Sequence, residues 1–213
     1  MQVEPPETWE DQIRILERRA ARHPQPPGAI VFTGSSSIRM WKTLARDMAP
    51  LAVVNRGFGG AQVDAVVHYA PRLVLPLRPR GVVLAAGEND LEEIRGKTPQ
   101  RVLDDVERFA SLVVDAFPLT RLYFVNVKPS PARASRWSAA EEFNTLLAGF
   151  CEAAPRRALL DVATPTFDAE GNRRAELFLD DGLHLSAAGY TMWTSVVRPR
   201  LMADFGGGGG AQQ

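Results

Sequence analysis

Four short stretches of this chain carry the residue types that acyl transfer needs. They are GSSS (34–37), NRGFGG (55–60), GEND (87–90) and DGLH (181–184). A serine hydroxyl is a weak nucleophile near neutral pH, so it needs a base to take its proton. His184 offers an imidazole, the side chain best suited to that task in neutral water. The base in turn needs an acceptor on its other ring nitrogen. Asp181 stands three residues earlier, within reach of Nδ1 across a turn. The oxyanion that develops needs hydrogen-bond donors. The backbone N–H groups of Ser36 and Gly60 and the side-chain amide of Asn89 are the candidates. Gly60 lacks a Cβ, so its backbone can approach a substrate closely.

From chemistry alone Ser35 and Ser37 compete with Ser36, and all three could simply cap a helix. Asp180 competes with Asp181, although the spacing to His184 favours Asp181. Asn89 and Asp90 are also turn formers, and Asp90 is expected to hold loop geometry while Glu88 lies exposed. His23 and His68 read as surface residues, and Cys151 as a buried helix residue. Trp41, Trp137 and Trp193 read as core. Arg133 and Trp137 follow the fourth strand, so they are candidates to line an acyl or leaving-group pocket.

The elements that must bring these stretches together alternate along the chain. An amphipathic helix is expected over 8–21, with Trp9, Ile13 and Leu16 on one face. Short apolar runs at 29–33, 52–55, 81–86, 121–127 and 158–162 suit buried parallel strands. Helices are expected at 38–48, 62–69, from Thr98-Pro99 through Phe117, at 138–153 and at 186–202, the last with Ser186 as N-cap. RGFGG (56–60) and KPSPAR (128–133) read as loops, and DAEGN (168–172) as a turn. Five alternations predict one α/β domain over 1–205, with a five-stranded parallel sheet between helices. Residues 206–213 read as a flexible Gly-rich tail. In such sheets ligands sit beyond the carboxyl ends of the strands. All four stretches should open there.

Composition narrows the function. The 25 basic and 25 acidic residues of the 213 balance. No block of like charge stands out, which argues against nucleic acid as a partner. One cysteine allows neither an intrachain disulfide nor a thiolate metal cluster. No apolar run reaches the length of a membrane span, and the first residues lack the apolar core of a signal peptide. A cytoplasmic protein without membrane insertion is expected.

The four stretches, in this order, resemble the blocks of the SGNH hydrolases, also called GDSL esterases and lipases. Within that family the chain is most similar to the bacterial branch related to platelet-activating-factor acetylhydrolase catalytic subunits. The resemblance selects Ser36 as nucleophile, Gly60 and Asn89 as oxyanion donors and Asp181 with His184 as the acid and base. It implies a three-layer α/β/α, flavodoxin-like fold and a serine esterase acting on a small-molecule ester, such as an acetyl ester. It implies no metal or organic cofactor, an open site, and pairing into homodimers. Two positions depart from the family pattern: Ser35 stands where an aspartate is usual, and Ala61 where many relatives carry a polar residue. An acyltransferase using the same acyl-enzyme, and a non-catalytic binding module on a flavodoxin-like sheet, are the alternatives. The second gives Asp181 and His184 no task.

Overall fold

A computed structural model describes residues 5–207. Five strands form one parallel sheet: β1 (Ile30–Gly34), β2 (Val53–Gly57), β3 (Gly81–Ala85), β4 (Arg121–Val125) and β5 (Arg157–Leu160). Their order is β2-β1-β3-β4-β5, the flavodoxin-like order. The order in which successive strands are added across the sheet reverses between β1 and β3. That switch point leaves a crevice at the carboxyl ends, between the loops that leave these two strands.

Side chains alternate across each strand, and so the sheet feeds two cores. On one face Val31, Val82, Leu84, Leu122 and Phe124 pack beneath α1 (Glu10–Arg22), α4 (Val63–Leu73), α5 (Pro99–Ala116) and α6 (Trp137–Glu152). On the other, Ile30, Phe32, Val83, Tyr123 and Val125 pack against α2 (Ser36–Arg39), α3 (Leu44–Asp47) and α7 (Ala187–Phe205). The three-layer α/β/α expectation is met. Ser186 caps α7 as expected, its Oγ accepting from Gly189 N, and at the start of α5 Thr98 accepts from Arg101 N. Cys151, Trp41 and Trp193 are buried.

Three local expectations need correction. The single helix over 38–48 is two four-residue turns, α2 and α3. Trp41 lies between them and is 1 % exposed, its ring edge-on to Phe32 and Trp193. Burying that indole among other aromatic rings favours a bend over a straight helix. Arg56 and Gly57 belong to β2 rather than to a loop, paired with Thr33 and Gly34. The KPSPAR segment is not irregular throughout, because a 3₁₀ helix spans Pro131–Arg136. A proline at its start loses no hydrogen bond, since the first N–H groups of a helix are unpaired anyway. The first helix also opens with a 3₁₀ turn, Pro6–Trp9. From residue 208 onward the expected tail lies outside the described residues.

Candidate active site

The loop after β1 turns at Gly34, whose φ is 130°. A Cβ there would sit 2.1 Å from the Ala85 carbonyl oxygen of β3, so no side chain fits. The same closeness lets Ser35 N donate to Ala85 O at 3.0 Å. Ser35 occupies the N-cap position of α2, yet its side chain makes no capping bond. Ser35 and Ser37 are buried, and Ser36 is partly exposed. Of the three hydroxyls, that of Ser36 meets His184, with Oγ 3.2 Å from Nε2.

His184 is held from behind. Asp181 Oδ2 lies 2.6 Å from His184 Nδ1, and Asp181 Oδ1 accepts the backbone N–H groups of Leu183 and His184 at 2.9 Å each. The His184 side chain, then those backbone donors, hold the Asp181 carboxyl well below its ordinary value. A carboxylate saturated in this way stays ionised and fixes the ring orientation and tautomer. The loop itself is pinned: Leu179 N donates to His184 O at 2.8 Å and Ala132 N to Gly182 O at 3.0 Å. Asp180 and Asp181 are both exposed, and of the two Asp181 makes the contact with His184. From the other side, Tyr190 of α7 donates its hydroxyl to Ser37 O at 2.9 Å, tying that helix to the serine turn.

The loop after β2 is braced from α1. Gly59 N donates to Gln12 Oε1 at 2.8 Å, while Gln12 Nε2 and Trp9 Nε1 donate to Gly59 O at 3.2 and 3.1 Å. Gly60 follows with φ 74° and is exposed. The N–H groups of Ser36 and Gly60 have no hydrogen-bond partner among the described residues. Asn89 Nδ2 donates to Ala61 O at 3.0 Å, which orients the amide and leaves its second N–H for a ligand. Ala61 is fully buried, so the departure from a polar residue there fills space rather than removing a surface contact.

Asp90 does hold loop geometry. It is fully buried, accepts Val63 N at 3.0 Å with Oδ1, and receives Lys97 Nζ at 2.9 Å. Lys97 also reaches Asp64 and Asp105, at 3.0 Å each. These three carboxylates lie close enough to share a cation, and the Lys97 ammonium is bonded to all of them. Burial pushes the Asp90 carboxyl up, to about 6, against the pull of Lys97.

Glu88 is not exposed as expected. It is half-buried, 2.5 Å from Lys128 Nζ, and accepts the Ser130 hydroxyl. Arg133 pairs with Glu92, and Trp137 packs its ring 6.2 Å from that of Phe167. The two share a small recess with Leu91 and Lys128; Ser36 and His184 are not among its walls. His23 and His68 are exposed. Sequence reasoning missed Gln12 and Lys97. Lys97 was within reach, as a lone lysine beside an acidic stretch, whereas no local signal marks Gln12.

A family model described as GDSL-like lipase/acylhydrolase matches residues 21–192. The chain belongs to that family. This GDSL-like protein is a carboxylic ester hydrolase. Its fold is shared by a putative platelet activating factor from Streptococcus pneumonia, at TM-score 0.78 and 20% identity over 92% of this chain and 95% of that one. A GDSL-like lipase from Bacteroides thetaiotaomicron is similar at TM-score 0.77 and 18% identity, over 91% and 98%. An acetyl esterase mutant solved with an acetate ion is similar at TM-score 0.67 and 14% identity, over 83% and 97%. No curated protein sequence matches the chain. Among the described residues no helix of the GDSL-like hydrolase is long and apolar enough to cross a membrane.

Proposed function

We propose that this GDSL-like hydrolase releases a short acyl group, acetyl above all, through a Ser-His-Asp acyl-enzyme. The observation that carries the reading is the run of contacts from Ser36 Oγ to His184 Nε2 and from His184 Nδ1 to Asp181 Oδ2. Ser36 Oγ attacks the ester carbonyl while His184 Nε2 takes its proton. The oxyanion is met by Ser36 N–H, Gly60 N–H and the free N–H of Asn89. His184 gives the proton to the departing alcohol, and a water molecule repeats the sequence on the acyl-enzyme. An acetate ion in a hydrolase of the same fold supports a small acyl group.

The experiment is a series of p-nitrophenyl esters from acetate to decanoate, with wild type and Ser36→Ala. The reading expects kcat/KM to be highest at the shortest chains. It expects Ser36→Ala to fold normally and to lose hydrolysis by roughly four or more orders of magnitude. Near-full activity of Ser36→Ala removes Ser36 from the mechanism, and a maximum at decanoate removes the short-acyl assignment.

A further inference from the structure

A groove of about 440 Å³ runs along the open edge of β2, between α1 and the Trp41–Ala45 segment. Its walls are apolar at Ile15, Leu16 and Leu44, and its charged residues are Arg19, Arg39 and Lys42, with no acidic residue among them. At its upper end the walls include Gly57 and Phe58, which lead into the Gly59–Gly60 loop, while Ser36, Gly60, Asn89 and His184 are not among them. Arg39 closes the turn of α2 that Ser36 opens. Its guanidinium lies on the backbone of Gly59, the neighbour of Gly60. A Cβ at Gly59 would sit 2.9 Å from Arg39 Nε, and one at Gly57 would sit 2.5 Å from Arg39 N. Two glycines thus make the room that residue 39 occupies.

The positive charge of this groove is uncompensated. Arg19, Arg39 and Lys42 have no carboxylate partner among the described residues. Arg56 of β2 is not among the groove's walls. This chain is neutral overall, so three cations with no acidic residue beside them are a local excess of positive charge at one apolar groove.

We propose that the substrate is an ester carrying a negatively charged oxyacid group, held by Arg39 at the mouth of the groove with Arg19 and Lys42 along it. The proposal rests on the esterase reading above and narrows its substrate class. A guanidinium fork binds such a group through two parallel N–H bonds. The apolar walls take the carbon skeleton between that group and the ester.

The test uses two matched pairs of esters. The acyl-side pair is 4-methylphenyl hydrogen succinate against 4-methylphenyl succinamate. The alcohol-side pair is 4-acetoxybenzoate against 4-acetoxybenzamide. The readout is the ratio of kcat/KM for the anionic over the neutral member. Wild type should favour the anion in one pair, which assigns the charged half. Arg39→Gln should lower that ratio about tenfold or more, and Arg39→Lys should restore part of it. Wild-type ratios at or below one in both pairs, or a ratio that Arg39→Gln leaves unchanged, overturn the proposal. Calorimetric titration of Ser36→Ala with the two anionic esters separates the two readings. Binding that the added Arg39→Gln weakens about tenfold, in a wild type that turns over no ester, keeps the groove and rejects the esterase. Turnover without any anion preference does the reverse.

Discussion

Ser36 and His184 are 148 residues apart in the chain, and their Oγ and Nε2 atoms are 3.2 Å apart in the fold. The contact exists because the serine turn is locked onto β3 while α7 is tied back to that turn through Tyr190. Neither partner could be moved far without breaking a backbone bond. This is preorganisation in the sense that catalysis requires.

Asp181→Asn tests the rear of this arrangement. An amide in that place presents a donor to Nδ1 and favours the wrong tautomer. The expected result is a fall in kcat of about three to four orders of magnitude with KM little changed. Steady-state kinetics on p-nitrophenyl acetate, with circular dichroism to check the fold, measures it. A loss confined to KM would mean that Asp181 serves substrate binding instead.

Gln12→Ala tests the brace on the Gly59–Gly60 loop. It removes one acceptor and one donor from Gly59 and leaves Trp9 Nε1 as the remaining tie. Freed from one side, the Gly60 N–H loses its fixed direction, which in the proposed mechanism is its aim at the developing oxyanion. The expected result is about a tenfold or greater fall in kcat, with KM and thermal midpoint little changed. An unaltered kcat would show that the loop holds its place without α1.

The sheet, its neighbours and the residues at its carboxyl edge were legible in the sequence because they follow from periodicity and from short motifs. Val31, Val82 and Leu84 announce themselves as strand residues, and GSSS and DGLH each keep their chemistry within a few positions. What escaped were side-chain contacts across the fold. Gln12 bonds Gly59 from 47 positions away, and no local spacing encodes that. The break at Trp41 escaped for a similar reason. Its cause is packing against Phe32 and Trp193 rather than a helix-breaking residue. Glu88 looked like a surface residue because its partners, Lys128 and Ser130, follow a different strand.

Lys97→Met tests the buried ionic cluster beneath the GEND loop. Without the ammonium, Asp64 and Asp90 lose their cationic partner, and Asp105 keeps only Arg108. Breaking a buried pair by removing one partner costs about 3–5 kcal/mol. Urea unfolding at pH 7 should show a loss of that size. A change below about 1 kcal/mol, as for a surface pair, would mean that solvent reaches the cluster.

Acid stability tests the anchor of α1. Hydrogen bonds from Arg72, then Arg14, bring the Glu10 carboxyl down from 4.5 to about 2. A depressed pKa means that the folded state favours the ionised form. The stabilisation is therefore fully present above the ordinary value and is lost as pH falls toward about 2. Arg72→Gln should be less stable than wild type near neutrality, with the difference shrinking as pH drops through that window. A difference that stays constant with pH would assign the role of Arg72 to packing over Tyr69 rather than to charge.

The contact between Ser36 and His184 is tested most directly by labelling with a fluorophosphonate probe, read by intact mass and peptide mapping. The expected result is one adduct on Ser36 in the wild type, none in Ser36→Ala, and labelling slowed by orders of magnitude in His184→Ala. A folded wild-type protein that takes no label at Ser36, or one labelled at the same rate without the imidazole, would contradict the account.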